Sequence, residues 1–422
     1  MTQSAHSTEE TGRAPDALVK GSAAYRRLTL AMLFAGFATF STLYAVQPLL
    51  PELAAHYRLS AEAASLAVSM ATGPLAFGIL VAGAVSDRLG RRSLMTAAMM
   101  AAATLTLASA VAPGWYALLA LRLLAGLALA GVPAVAMAYV AEEVDAGSIG
   151  SAMGLYIAGS ALGGMGGRLI ASLVAAVADW RWAIAAVGLA GLAMAEAFRR
   201  LAPRSRRFVP GEADWLALPR GALTLFRDPA LRLLYAESFL LMGMFVTVYN
   251  YAGFHLLGAP YHLGQATVGA IFLLYILGSV SSSVFGGLAG KVGRRKVFWL
   301  PTALLIAGVG LTLAAPLWMV VIGIAIVTIG FFGAHSIASA WVGRRGGAMR
   351  GQAAAWYLFF YYMGSSVLGS AGGFAWTRMG WPGVVTFCLA LGTLALIGSV
   401  LLIRVRPLAV EPAPAPVVPP QA

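Results

Sequence analysis

Three ionisable side chains lie inside long apolar stretches of this 422-residue chain: Arg122, Glu237 and His335. A charge in hydrocarbon is costly and seldom faces lipid, so such residues mark ion paths, proton relays or buried anchors. Arg122 sits in ALLALRLLAG, about eight residues or roughly 12 Å from one end of its stretch. Its guanidinium could hold a substrate anion, or be pinned by backbone carbonyls and by Tyr44 or Gln47. Glu237 is the one carboxylate well inside an apolar stretch. It and His335 each lie about six residues, roughly 9 Å, from the nearer end of their stretches. A carboxylate at that depth is placed to exchange a proton, or to reach back to the headgroups. Arg168 is nearer an end of its stretch and is expected to snorkel.

A second group of charges falls between stretches. Residues 83–95 read GAVSDRLGRRSLM, with Gly83, Asp87, Arg88, Gly90, Arg91 and Arg92. Arg91 or Arg92 could pair with Glu142, Glu143 or Asp145, at the end of a later stretch. Residues 286–298 read GGLAGKVGRRKVF, so Gly286, Gly293, Arg294 and Arg295 repeat the pattern after 203 residues. A repeat of half the chain suggests a duplicated helical unit. Asp87 maps onto Gly290, so the second copy keeps the turn and the positive charge but lacks the acid.

The elements that carry these groups must be membrane helices. The chain is 60% hydrophobic and 11% charged, against about 25% charged in a soluble domain. The net charge of +13 does not point to nucleic acid, because the cations sit in short loops where topology explains them. The single cysteine, Cys388, excludes a disulfide or a cysteine-based metal site within one chain, and no cofactor or metal is expected. Twelve spans are expected at about 27–50, 63–86, 93–112, 115–140, 148–174, 182–199, 231–256, 265–289, 296–314, 317–341, 352–375 and 383–404. The fold class is therefore an all-α membrane protein: twelve transmembrane helices in two pseudo-symmetric six-helix bundles. Residues 1–26 read as a disordered tail, 27–199 as the first bundle, 200–230 as a linker, 231–405 as the second bundle and 406–422 as a Pro-rich tail. Of the 29 lysines and arginines, 24 fall on one side and three (Arg58, Arg181 and Arg378) on the other. That bias places both tails and the linker in the cytoplasm.

The loop at 83–95 resembles the G-x-L-a-D-r-x-G-R-[KR] loop of the major facilitator superfamily. RLLAG at Arg122 resembles the R-x-x-x-G of that family's fourth helix, where the arginine is tied to proton coupling. Pro48 and Pro51 resemble a P-x-x-P of drug:proton antiporters. Gly159, Gly163 and Gly164 fit most of an antiporter glycine pattern, with Ser160 in place of its proline; glycines at this density also let helices pack closely. Several longer stretches are similar to the YnfM-type inner-membrane transporters.

The resemblance implies a bacterial inner-membrane carrier, not an enzyme, and a monomer in the lipid bilayer. Its partners would be a small-molecule substrate and protons, with proton-coupled efflux of small lipophilic or cationic compounds. Tyr44, Gln47, Tyr249, Asn250, Tyr357 and Tyr361 are candidates for the cavity wall. By the resemblance the helices of Glu237 and His335 both line the cavity of the second bundle, so the two are expected to interact, directly or through water, when the cytoplasmic side is closed. Asp87 is expected to face the N-terminus of the eleventh span when the carrier faces outward. The alternative is a facilitator or symporter for a small organic anion or metabolite held by Arg122. No GxxxxGK[ST] loop is present, so ATP is not the expected drive. A membrane-embedded transferase would need clustered acids that the spans lack.

Overall fold

In hydrocarbon every backbone N–H and C=O must bond within its own segment, which selects helices. The computed structural model describes residues 17–205, 207, 208 and 217–405. Among them helices dominate, and the one β-bridge joins Leu18 to Val144.

The first half holds α1 (Ala23–Leu43), α2 (Leu50–Tyr57), α3 (Ala61–Leu89), α4 (Arg91–Ser109), α5 (Trp115–Leu129), α6 (Pro133–Glu143), α7 (Ile149–Ala175) and α8 (Trp180–Leu201). The linker holds α9 (Ala217–Leu225). The second half holds α10 (Pro229–Leu257), α11 (Gln265–Gly269), α12 (Tyr275–Val292), α13 (Arg294–Val297), α14 (Trp299–Leu311), α15 (Leu317–Arg345) and α16 (Arg350–Arg404).

Nine helical stretches among the described residues are long and apolar enough to cross a membrane. Helix α16 counts once among these, although Gly380, with φ of 62°, breaks it into the two expected spans. The expected spans at 93–112 and 296–314 fall on α4 and α14, which are respectively less apolar and only 13 residues long. All twelve expected spans thus coincide with helix.

The repeat is visible in the backbone. Gly90 and Gly293 both take positive φ, 82° and 104°, and both end one helix and start the next. Only glycine adopts that conformation without a steric cost. Arg92 donates to the Ala202 carbonyl at 2.9 Å, and Arg295 donates to that of Val405 at 2.7 Å. Both donor and acceptor are displaced by the same 203 residues, so each half ties its basic loop to the end of its own last helix.

The glycines of α7 pack as their spacing suggested. Gly159 and Gly163 lie against the backbone of Leu33 and Phe37 in α1, and Gly167, outside the expected set, lies against Ser41. Two expectations need correction. The tail does not run to residue 26: the Leu18 N–H donates to Glu143 O at 2.8 Å, Asp145 N–H donates to Leu18 O at 3.1 Å, and α1 begins at Ala23 behind a Ser22 cap. The linker at 200–230 contains α9, and α10 starts at Pro229 behind an Asp228 cap. The Pro-rich tail at 406–422 and residues 1–16 lie outside the described residues.

Candidate functional site

The two halves touch mainly at the end of the helices opposite the basic loops. Ser65 and Ser69 of α3 bond with Ser366 and Ser370 of α16, and Gln265 Nε2 donates to Pro48 O at 2.7 Å. Nearer the basic loops the halves meet through Phe77 and Phe359, whose rings are 5.2 Å apart.

The central contact is an amide pair. Gln47 Nε2 donates to Asn250 Oδ1 at 2.7 Å, and both side chains are buried. These two residues are separated by 203 positions, the offset of the repeat. A residue can bond to its own repeat counterpart only near the axis that relates the halves. In parallel repeats that axis runs along the membrane normal, which is the direction any solute must travel. The pair therefore lies near the axis between the bundles.

Arg168 extends this pair. Its Nε donates to Gln47 Oε1 at 2.6 Å and one terminal nitrogen donates to Gly164 O at 2.6 Å. Asn250 Nδ2 in turn donates to Gly369 O at 3.2 Å. One polar chain thus runs from α7 through Gln47 and α10 to α16, crossing the interface once. The guanidinium also faces Tyr44, Phe272 and Tyr275, 4.3, 5.2 and 5.1 Å from the ring centres. Arg168 is 2% exposed, so the snorkelling expectation is overturned. Its sequence signal was the apolar turn LIASLV beyond it, which leaves no nearby headgroup to reach.

Arg122 is 0% exposed and has other partners. It donates to the carbonyls of Thr42 at 3.0 Å, Ala67 at 3.2 Å and Leu43. Tyr44 and Gln47 do not hydrogen-bond to it among the described residues. All three acceptors belong to its own half, on α1 and α3. Of the readings open in the sequence, the geometry matches the pinned anchor.

The aromatic candidates form one wall. Tyr249 bonds Thr328 through its hydroxyl at 2.8 Å and packs on Phe245, Phe272 and Tyr275. Phe245 stacks on Phe331 at 4.0 Å, and Phe331 leads to His335 at 5.9 Å. His335 Nδ1 lies 2.9 Å from the Tyr357 hydroxyl, with Tyr361 at 4.9 Å from its ring. The wall therefore runs from Arg168 to His335 along the second half.

Glu237 is not part of that wall. It is 1% exposed, and its Oε1 accepts from Ser399 at 3.3 Å, beside Gly398. Its Oε2 has no partner among the described residues. Ser399 also reaches Thr302 of α14 at 3.3 Å. Among the described residues no direct hydrogen bond or ion pair joins Glu237 to His335; Tyr357, whose hydroxyl lies 2.9 Å from His335 Nδ1, is within electrostatic reach of Glu237.

At the basic end Asp87 pairs with Arg91 at 2.6 Å, within its own half. Arg91 also pairs with Glu142 at 3.0 Å and reaches Ser86. Burial pulls the Arg91 pKa down, but Glu142 and Asp87 together raise it above the ordinary value. Arg294, its counterpart, is lowered by burial and by the charge of Arg344. The second loop, with Gly290 in place of the acid, has no counterpart of the Asp87–Arg91 pair among the described residues. Arg92 does not reach an acid among the described residues; it donates to Ala202 O and Arg199 O. Glu143 accepts from Arg207 N–H and Asp145 caps Gly147.

The profile described as Major Facilitator Superfamily matches residues 32–260. The chain belongs to the major facilitator superfamily. It is 42% identical to the MFS-type transporter YybF of Bacillus subtilis (strain 168) over 366 residues, 87% of this chain and 91% of that one. It is 41% identical to the inner membrane transport protein YnfM of Escherichia coli (strain K12) over 384 residues, 91% and 92% of the two chains. Among solved structures, the nucleoside transporter NupG superposes with a TM-score of 0.69 at 13% identity, covering 91% of this chain and 99% of that one. A D-xylose-proton symporter superposes with a TM-score of 0.67 at 16% identity, over 91% and 97%. These two establish shared fold. The protein is a multi-pass membrane transporter of this superfamily and not an enzyme.

Proposed function

We propose that the chain is a secondary active transporter that exports small amphiphilic organic compounds across a bacterial inner membrane, driven by protons. The basic loops, both termini and the linker lie in the cytoplasm on this reading, because the positive charge collects there. The Gln47–Asn250 bond carries the proposal. It closes the path at the periplasmic end, on the axis between halves, and it is a pair of neutral amides that can part and re-form without moving charge. Rocking of the bundles would break it and open the aromatic wall to the other side.

Glu237 is the proton carrier in this proposal. It is buried in the second bundle with one oxygen unpartnered and no cation within ion-pair distance among the described residues. Its neighbours Ser399 and Thr302 lie on two other helices, so a change in its protonation is felt between helices. In liposomes Glu237→Gln should lose proton-driven accumulation and keep substrate counterflow. Uphill transport by Glu237→Gln with unchanged pH dependence removes this residue from the coupling.

A further inference from the structure

We infer that Arg168 receives an anionic group of the cargo, a carboxylate on a compound with an apolar or aromatic body, which rests on the transport reading above. Among the described residues no carboxylate lies within ion-pair distance of Arg168, although it is 2% exposed. Its hydrogen-bond acceptors are neutral: the Gln47 amide oxygen and the Gly164 carbonyl. The rest of its charge is met by ring faces, which attract cations more weakly than a carboxylate does. The buried Tyr44 hydroxyl beside it has no hydrogen-bond partner among the described residues.

Two of those rings, Phe272 and Tyr275, belong to the opposite half. Opening the far end of the interface withdraws both rings and takes Asn250 from Gln47. What stays on the first half is a guanidinium already oriented by Gln47 and Gly164, with Tyr44 at its side. A planar guanidinium fork matches a carboxylate in a way an ammonium does not. The withdrawn aromatic wall supplies the surface for the apolar body. In the closed form the void beside Gln47, Tyr249 and Phe272 measures about 10 Å³, room for one water and no cargo. Binding is therefore coupled to opening, and a cationic cargo meets a like charge at this point.

The test uses full-length protein in nanodiscs with Ala252→Cys as a reporter. Ala252 lines that void and is 3% exposed, while Cys388, the one native cysteine, is fully buried. Benzoate, benzamide and benzylamine share a ring and differ in charge. The inference expects benzoate to speed maleimide labelling of Ala252→Cys at concentrations roughly tenfold or more below those needed for benzamide, as removal of a desolvated charge pair would cost. Benzylamine should not speed it.

Arg168→Gln should erase the preference for benzoate, and Arg168→Lys should keep part of it. Equal potency of benzoate and benzamide on the parent protein overturns the inference without any mutant, and so does a preference that survives Arg168→Gln. The labelling rate without any probe reports separately whether the far end opens. A chain that opens but ignores charge removes the anion and leaves the transporter; a chain that never opens removes both.

Discussion

Arg122 and Arg168 are both buried arginines of the first bundle, yet they are held in opposite ways. Arg122 spends its donors on three carbonyls of its own half, and nothing in the other half touches it through a hydrogen bond among the described residues. Arg168 has two acceptors in its own half but rests on two rings from the other, and its partner Gln47 is bonded across the interface. Bundles that rock as rigid bodies leave the first set of contacts intact and dismantle the second. Burial alone therefore does not say whether a charge in a transporter is scaffold or machinery; the body to which its partners belong does.

The comparison can be broken most sharply at Arg122. Arg122→Ala leaves the Thr42 and Leu43 carbonyls at the end of α1 without this donor, each at a cost of about 1–3 kcal/mol. Little folded protein is expected in the membrane, read as yield and melting temperature after extraction. Arg122→Lys retains a cation with three donors, so it should melt lower yet transport normally per folded molecule. Loss of transport by a well-folded lysine variant would move Arg122 into the cycle.

Arg168→Gln should do the reverse. A glutamine keeps an amide donor for one of the two acceptors in its own half, so folding should change by about 1.5–3 kcal/mol, the worth of one hydrogen bond to a charged group. Counterflow of an acidic substrate should fall by roughly tenfold or more, since a carboxylate loses its charged partner. A variant that melts low and transports normally would make the two arginines alike.

The two halves differ at the basic loops as well, on a smaller scale. Asp87 is 41% exposed, so Asp87→Asn should cost under about 1 kcal/mol, with Arg91 still held by Glu142. Also small is Gly290→Asp, which would restore an acid four residues before Arg294. A Cβ at Gly290 meets open space, and a surface ion pair across the turn at Gly293 contributes at most about 1 kcal/mol. A melting temperature that rises slightly agrees with the asymmetry described; a fall places another constraint on that loop.

The fold was legible because lipid leaves few choices. Long apolar stretches, the basic loops and the echo of GRR after 203 residues point to helices, halves and turns, and Gly90 and Gly293 adopt the same positive φ. The cavity candidates Gln47, Asn250 and Tyr249 were readable as polar groups at the ends of apolar stretches. Arg168 was missed because its distance from a helix end was counted without weighing the apolar turn beyond it. Counting along each helix gives Glu237 and His335 a common depth, but facing depends on rotation: Glu237 bonds Ser399 and reaches His335 only by way of Tyr357. With the halves joined at the opposite end, Asp87 is held by Arg91, four residues on.

The central claim is that the Gln47–Asn250 contact must open in each cycle. It is tested most directly by replacing both residues with cysteine, while the native Cys388 stays buried. The account predicts that a short reducible bis-methanethiosulfonate, long enough to replace the two amide side chains, links the pair and stops substrate flux in liposomes, and that a reductant restores it. Linked protein that transports at the reduced rate or faster would contradict the claim, because the halves would then work without parting at their axis.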